Sequence, residues 1–205
     1  DPAVLEAARK LQYRSLITVD IIINKKEVFP DNWIYIHSPE VKLGRIQNFK
    51  NWSAQMVPDP EKSTLGLEYF CNEDDEFWQL PDTKLFEIAA AEVEKIQICQ
   101  KSEIEDYVVV RVPKAYPVYM MGYKESLAQV EEYVRKFSNL QLVGRYGLFK
   151  YNNMDHSIMT GLYASRNIQA GNRQYDTWSI NVDEEYHEES KTDINYQINN
   201  KTAQV

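Results

Sequence analysis

The chain has 205 residues, a formal net charge of −8, and apolar and charged fractions of 43% and 26%. This length accommodates one domain or one and a half, and an acidic chain without a basic stripe argues against nucleic acid as the main partner. No stretch approaches the roughly 18 consecutive apolar residues of a membrane span. No apolar targeting segment opens the chain, so we expect an ordinary globular protein.

The first part of the chain predicts one helix followed by strands. The chain begins with Asp1-Pro2 and enters a helix over Val4 to Leu11, which predicts a fragment of a longer protein or the product of tag removal. Residues 16–24 alternate, so that the apolar side chains share one face of a strand. Further strands are predicted over 33–37, 46–52 and 65–70. Short strands separated by turn residues indicate an antiparallel meander.

Helices and strands are mixed in the second part. Pro81-Asp82-Thr83 has the composition of a helix start, and apolar residues follow it at helical spacing. The further predicted elements are a strand over 107–112, a helix over about 127–137, a short apolar strand over 140–143 and a final helix over about 154–168. This order predicts an α+β fold in which an antiparallel sheet of about five or six strands is covered by helices on one side.

Composition divides the chain into three parts. We expect a substrate-binding α+β domain over residues 1–138, a strand-helix element over 139–171 and a polar tail over 172–205 whose end, from Glu188 onward, is disordered. The acidic runs 73–76 and 183–189 are interpreted as solvated loops. Cys71 and Cys99 lack the spacing of metal ligands, which indicates reduced, buried thiols of a cytosolic protein and no metal site.

The segment from Gly144 to Ser157 joins the predicted short strand to the final helix through a polar connection. Asn152 or Asn153 can cap this helix, whose first N–H groups then carry partial positive charge. Such a helix start suits an anion or an electron-rich carbonyl group, and Arg145 adds a fixed cation nearby.

One face of the final helix is built from small residues at helical spacing, namely Ser157, Thr160, Gly161, Ala164 and Ser165. A helix-interior glycine costs roughly 1 kcal/mol relative to alanine, which a close neighbour would offset. Periodicity alone leaves two alternatives open: tight packing against another element, or close approach of a ligand.

Three segments resemble one family of flavoenzymes. Gly144-Arg145-x-Gly147, Lys150-Tyr151 and Asn153-Met154-Asp155 resemble the C-terminal flavin-binding motif of UDP-galactopyranose mutases and of bacterial protoporphyrinogen-oxidase-like and amine-oxidase-like proteins. Residues 33–40, 44–53 and 111–119 resemble the substrate-domain sheet of the same proteins. The resemblance covers most of residues 5–188.

This resemblance implies that the chain is the C-terminal part of an FAD-dependent oxidoreductase. Its cofactor-binding residues would be Gly144, Arg145, Asn153, Met154, Asp155 and His156, which lie beside the isoalloxazine ring in the relatives. A helix start there stabilises the anionic reduced flavin and raises its redox potential. The alternatives are a fragment of a flavin-dependent UDP-sugar mutase and a non-catalytic substrate or interaction domain.

The chain departs from the family in one respect. FAD pyrophosphate needs a G-x-G-x-x-G turn, and no three of the seven glycines have that spacing. We therefore expect the nucleotide-binding half to be absent and FAD not to bind tightly to this chain alone. The apolar segment 140–143 and the small-residue face of the final helix would then be exposed, and we expect them to mediate self-association.

Other candidate residues have two open interpretations each. Arg45 and Arg111 lie in predicted strands, where they would bind a substrate anion or form structural ion pairs. Tyr116 and Tyr119 would border the flavin ring, following the resemblance, or pack in the core. His37 shares a strand face with aromatic residues and is interpreted as structural, whereas His156 in the final helix is the better acid–base candidate.

Overall fold

The computed structural model describes residues 1–181, which form five strands and six α-helices. The strands are β1 Gln12–Ile23, β2 Trp33–Tyr35, β3 Arg45–Asn48, β4 Ser63–Cys71 and β5 Ile104–Val118. The helices are α1 Pro2–Lys10, α2 Phe49–Trp52, α3 Asp82–Lys95, α4 Tyr123–Val134, α5 Gly144–Leu148 and α6 Met154–Ala170. No helix in this part of the chain has the length and apolar character needed to cross a membrane.

The strands form one sheet in the order β2-β3-β4-β1-β5, and every neighbouring pair is antiparallel. The predicted α+β fold with an antiparallel sheet is therefore confirmed. β1 lies between the two other long strands. In keeping with this central position, its inward side chains, Ile17, Val19, Ile21 and Ile23, are all fully buried. The alternation recognised in the sequence produces the central strand.

The described residues belong to two compact units. The first contains residues 1–140 and 145–151, and the described part of the second contains residues 141–144 and 152–181. The first unit holds the whole sheet together with α1, α2, α3 and α4, and the second holds α6.

One face of the sheet is apolar and is covered by α3. Leu85, Ala89 and Val93 of this helix are completely buried against the strands, so this face forms the core of the first unit. Glu92 of the same helix accepts the hydroxyl of Tyr69 at 3.1 Å and the backbone N–H groups of Lys42 and Leu43. The carboxylate thereby fixes the helix to β4 and to the loop before β3.

The opposite face of the sheet is polar in its centre. The strand register places one cross-strand row in the order Val110, Thr18, Glu68, Arg45 and Tyr35, from β5 to β2. The adjacent row contains Val108, Asp20, Gly66, Gln47 and Trp33. A charged group thus lies on each of the three inner strands of this face, which is the face that α3 does not cover.

Gly66 makes this polar face possible. A Cβ atom at this position would lie 2.8 Å from Cζ of Phe49 and 3.1 Å from Oδ1 of Asp20. The phenyl ring of α2 therefore lies directly over the backbone of β4 and shields Asp20 from part of the solvent. A glycine in a strand interior is typical of such a close approach.

β5 is longer than the sequence predicted and contains a bulge. It pairs with β1 along its length, but the register shifts between Arg14 and Leu16, where Val112 and Tyr116 are the bonded partners on β5. Lys114 within this bulge has a φ of +54°, and its N–H donates to Oγ of the buried Ser15 at 3.0 Å. The bulge reorients the final part of β5 and carries Tyr116 to the polar face.

Two predicted strands need correction. Residues 140–143 have no strand structure, and α5 follows them, so the predicted strand-helix corner is an irregular segment followed by a short helix and α6. A short apolar segment forms a strand only where another strand accepts its backbone hydrogen bonds, and among residues 1–181 no strand pairs with it. The predicted strand over 46–52 ends at Asn48, because residues 49–52 turn into α2.

The second unit consists mainly of α6, whose outer surface is apolar. Met154, Ile158, Leu162 and Ile168 are exposed, and no atom lies within 4 Å of a Cβ built on Gly161. Within the described residues, nothing packs on Gly161, but Thr160 and Ala164 are buried. The prediction that the small-residue face is exposed was therefore wrong for these two residues. The expected self-association through this helix stays a prediction that light scattering on the purified chain can decide.

The remaining sequence expectations concern loops and cysteines. Residues 73–76 lie in a largely exposed turn, as predicted for a solvated acidic loop, and both Cys71 and Cys99 are free and buried. Residues 183–189 and the end of the tail lie outside the described residues. In residues 1–181 there is no group of three potential metal ligands.

Candidate functional site

The polar face of the first unit is organised around a buried carboxylate. Glu68 is only 1% exposed, although it carries a charge in the middle of an otherwise apolar strand. Nε of Arg45 donates to its Oε2 at 2.7 Å, and the Gln47 amide donates to its Oε1. Burying a carboxylate is costly unless it is paired and hydrogen-bonded, and both conditions are met here.

Arg45 links this carboxylate to β5. A terminal nitrogen of its guanidinium group, which also contacts Glu68, donates to the hydroxyl of Tyr116 at 3.1 Å. Burial works against the charged guanidinium, but the hydrogen bond and charge of Glu68 outweigh this effect and raise the pKa of Arg45. The rings of Trp33 and Tyr35 lie within 6 Å of the guanidinium carbon, which adds cation–π attraction.

A second arginine lies on the other side of Tyr116. The guanidinium carbon of Arg145 is 4.9 Å from the ring centre of Tyr116 and 4.7 Å from that of Tyr151. These two rings are nearly parallel, with centres 5.5 Å apart. Arg45, Tyr116, Arg145 and Tyr151 therefore form one connected group, which we call the Arg–Tyr cluster.

Further aromatic side chains hold the segment that carries Tyr151 of the Arg–Tyr cluster. The backbone N–H of Tyr151 donates to the hydroxyl of Tyr119 at 2.7 Å, and Tyr119 stacks on Tyr123 at 4.6 Å. Phe149, which is buried, contacts both of these rings. Tyr119 thus holds the segment that carries Tyr151, which favours its structural interpretation.

Asp20 is the second carboxylate of the polar face. Its Oδ1 atom is buried and has no hydrogen-bond partner in the described part of the chain. Burial, together with the nearby charge of Glu68, raises the pKa of Asp20 from 3.8 to about 6. Arg45 is paired with Glu68, so it does not offset this effect of burial and of the Glu68 charge on Asp20.

The predicted cofactor residues of the second unit form a capped helix start. Asn153 accepts the N–H of His156 in a reciprocal capping box, and Nδ1 of His156 accepts the N–H of Asn153 at 3.3 Å. The N–H groups of Met154 and Asp155 are the remaining first-turn amides, for which helix geometry provides no intrahelical acceptor. The N–H of Gly144 donates to Oγ1 of Thr160 at 2.9 Å.

The structure shows the contacts of several further candidates. Arg111 donates to Asp82 and to the carbonyl groups of Trp78 and Leu80, so it anchors the loop before α3, and the structural alternative is favoured. His37 lies beside Tyr35, with ring centres 6.1 Å apart. His156 serves as a capping residue. Its position three residues after Asn153 indicates this function only if the capping-box pattern is extended beyond Glu and Gln.

Sequence reasoning missed three residues of this site: Asp20, Glu68 and Tyr151. A signal existed for the two carboxylates, since each is the one acidic residue within a strand whose neighbours are apolar or β-branched. Tyr151 was quoted as part of a flavin motif, and nothing in the sequence indicates that it stacks on Tyr116, 35 residues earlier.

Comparisons with known proteins agree with this architecture. No family model matches the chain, and no curated protein matches it. A crystal structure of reduced UDP-galactopyranose mutase is similar, with a TM-score of 0.69 and 20% identity over 85% of this chain and 37% of that chain. A putative protoporphyrinogen oxidase from Exiguobacterium sp. 255-15 is similar with a TM-score of 0.62 and 17% identity, over 81% of this chain and 37% of that chain.

The structural resemblance predicted from the sequence is thus confirmed: the chain resembles part of both enzymes. At these identities the likeness shows the fold alone, because one fold supports many functions. The chain spans about 37% of the length of each matched structure. The remaining part of each structure is not matched by any residue of this chain.

The pairing of Arg45 with Glu68 can be tested by stability measurements. In Arg45→Met, Glu68 stays buried without its cation and beside Asp20, so we expect the free energy of unfolding to fall by about 2–4 kcal/mol. The double variant Arg45→Met/Glu68→Gln removes the uncompensated charge and should recover much of this loss. Lys84→Met, which breaks the exposed pair with Glu87, is the control, with a change below about 0.5 kcal/mol in urea titrations. Equal losses in Arg45→Met and the control would contradict this account.

The raised pKa of Asp20 predicts a pH-dependent effect of Asp20→Asn. As the pH falls from about 6 to about 4, the folded protein binds a proton before the unfolded chain does, so the wild-type protein gains stability in this range. The variant lacks this gain. We expect Asp20→Asn to be more stable than the wild-type protein by about 1 kcal/mol near pH 8, after allowing for partial exposure, and the difference to vanish near pH 4. A stability difference that does not change with pH would rule out this titration.

Proposed function

We propose that the chain is the substrate-binding part of an FAD-dependent enzyme, and that the Arg–Tyr cluster binds an anionic group of the substrate. The observation that carries this proposal is the position of Tyr116 between two guanidinium groups, one on its hydroxyl and one over its ring. The fold shared with a mutase and with an oxidase supports the assignment to this broad class of enzymes.

FAD fits the residues of this chain only in part. The first-turn amides of α6 suit the electron-rich edge of a flavin ring, and when bound the flavin would supply the redox or nucleophilic chemistry. The ADP half of FAD has no comparable site in this sequence, because the sequence contains no G-x-G-x-x-G turn for the pyrophosphate. We therefore propose that FAD is held mainly by an additional nucleotide-binding part, which would also be the partner of this chain.

The Arg–Tyr cluster suits a phosphate or carboxylate for electrostatic and geometric reasons. Arg145 provides a positive charge and a planar set of donors. The charge of Arg45 is paired with Glu68, so Arg45 contributes hydrogen-bond donors, and the phenol hydroxyls of Tyr116 and Tyr151 add neutral donors. Tyr151 is 45% exposed, so a ligand can reach the cluster from solvent. Arg45 is fixed by Glu68 before a ligand arrives, which reduces the entropy lost on binding.

We propose oxidoreductase chemistry, of the amine-oxidase or protoporphyrinogen-oxidase type, as the first candidate on the basis of the sequence resemblance. Mutase chemistry on a nucleotide sugar is the second candidate, and one observation favours it: paired arginines beside tyrosines suit a diphosphate better than an amine. In the flavin-loaded protein, anaerobic bleaching of the flavin by substrate supports the oxidoreductase. Turnover that requires prior chemical reduction supports the mutase.

The anion site is tested by calorimetric titration of the purified chain with inorganic pyrophosphate and with UDP. We expect Arg145→Met to weaken binding by about tenfold, because it removes a charge-assisted contact worth about 1.4 kcal/mol. Arg166→Met is the matched control, since Arg166 lies over the ring of Tyr175, 5.5 Å from its centre, in the second unit. If both variants bind alike, or if the wild-type chain binds neither ligand, the Arg–Tyr cluster is not an anion site.

If FAD is held mainly by an additional nucleotide-binding part, this chain alone should bind FAD only weakly. The purified chain should be colourless, and added FAD should bind with a Kd weaker than about 100 μM, because the pyrophosphate contacts that dominate nucleotide affinity are missing. The measurement is flavin fluorescence during titration with the chain. A yellow preparation with one flavin per chain would show that this chain, alone or as an oligomer, replaces the missing half.

We further propose that the protein is cytoplasmic, which is consistent with its two reduced cysteines. Fractionation of cells that express it, followed by detection of the chain, tests this assignment. Recovery in a membrane or secreted fraction would contradict it.

A further inference from the structure

A pocket lies in the first unit, where β1, the bulge of β5 and α5 meet. It has a volume of about 460 Å3 and is lined by Tyr13, Val112, Pro113, Lys114 and Tyr146. None of these residues belongs to the Arg–Tyr cluster. The volume falls within the range of about 300–1,000 Å3 that is typical of small-molecule sites, and the lining has the usual composition of apolar and aromatic walls with few polar groups.

One wall of this pocket is rigid. The hydroxyl of Tyr13 donates to the backbone carbonyl of Tyr146 at 3.1 Å, and its ring packs edge-on against the buried Phe149, with centres 5.0 Å apart. Tyr146 also lines the pocket, and its side chain is 53% exposed. A fixed ring beside a more accessible one provides a preformed surface for a flat apolar group, at a small entropic cost.

Lys114 supplies the only formal charge of the lining residues. In the described part of the chain, no carboxylate lies within 4.0 Å of its ammonium group. Its backbone has a φ of +54°, a conformation that is uncommon for a residue other than glycine and is held here by the hydrogen bond to Ser15. Strain of this kind persists where the surrounding structure fixes it, and it is concentrated at ligand sites.

We propose that this pocket binds a small organic anion. A flat apolar group would lie against Tyr13, Val112 and Tyr146, and a carboxylate or phosphate would pair with the ammonium group of Lys114. The apolar surface continues beyond Val112, because Val110 and Val108 follow on the same strand face and are 43% and 57% exposed. This site is separate from the proposed function, since it needs neither flavin nor the Arg–Tyr cluster.

Calorimetric titration of the full chain with 1-naphthoate tests the proposal, with neutral 1-naphthamide as the matched ligand. We expect saturable binding of the acid and binding about tenfold weaker for the amide, which lacks the charge that pairs with Lys114. Lys114→Asn, in which asparagine tolerates the positive φ, should weaken naphthoate by about tenfold, whereas Lys114→Arg should retain the affinity. Lys136→Asn, which changes an exposed lysine just after the end of α4, is the control.

Two further measurements keep the result unambiguous. Tyr146→Ala removes one wall at an exposed position and should also weaken naphthoate, even if a change at Lys114 disturbs folding. Inorganic pyrophosphate, which is expected at the Arg–Tyr cluster, should not displace naphthoate. The proposal is overturned by absence of saturable binding, by equal affinity for acid and amide, by wild-type affinity in both Lys114→Asn and Tyr146→Ala, or by displacement with pyrophosphate.

Discussion

The buried carboxylate of Glu68 is the constraint on which the polar face of the sheet depends. A charge with 1% exposure needs a cation and further donors, and the register of β3 and β4 supplies both from Arg45 and Gln47. Once Arg45 is fixed in this way, a terminal nitrogen that also contacts Glu68 donates to Tyr116 on the far side of β1. Tyr116 in turn stacks on Tyr151 and meets Arg145. Residues from three distant parts of the sequence are thus aligned by one electrostatic requirement.

Much of the fold was predictable because it rests on local patterns. The alternation in residues 16–24 identified the central strand, and the acidic start with helical spacing identified α3, whose apolar positions are buried against the sheet. The errors arose where pairing decides the structure. Residues 140–143 are as apolar as a strand but pair with no strand in the described part of the chain. β5 extends to Val118 because β1 provides a partner along that length. The bulge at Lys114 has no local signal.

The site was less predictable than the fold, because its contacts are non-local. Arg45 and Tyr116 were recognised as candidates, but their hydrogen bond joins residues 71 positions apart. Arg111, like Arg45, lies in a strand, but it lies on the other face, where Asp82 and the loop before α3 occupy its donors. Which face an arginine occupies follows from the register, and a shift of one residue reverses it. A single sequence does not fix that register in strands interrupted by bulges and short helices.

The charged groups of the polar face lower the stability of the fold, and their presence there is informative for this reason. The face that α3 covers shows that these strands can form an ordinary apolar layer, yet the other face places two carboxylates close together and leaves an oxygen of Asp20 without a partner in the described chain. Apolar side chains at these positions would make a more stable sheet, since a buried ion pair rarely exceeds its desolvation cost. Local departures of this kind from the rules of stability are typical of functional surfaces. Under the proposed function, the sheet is a scaffold whose stability resides on one face, while the other face holds charged groups in fixed positions for a ligand.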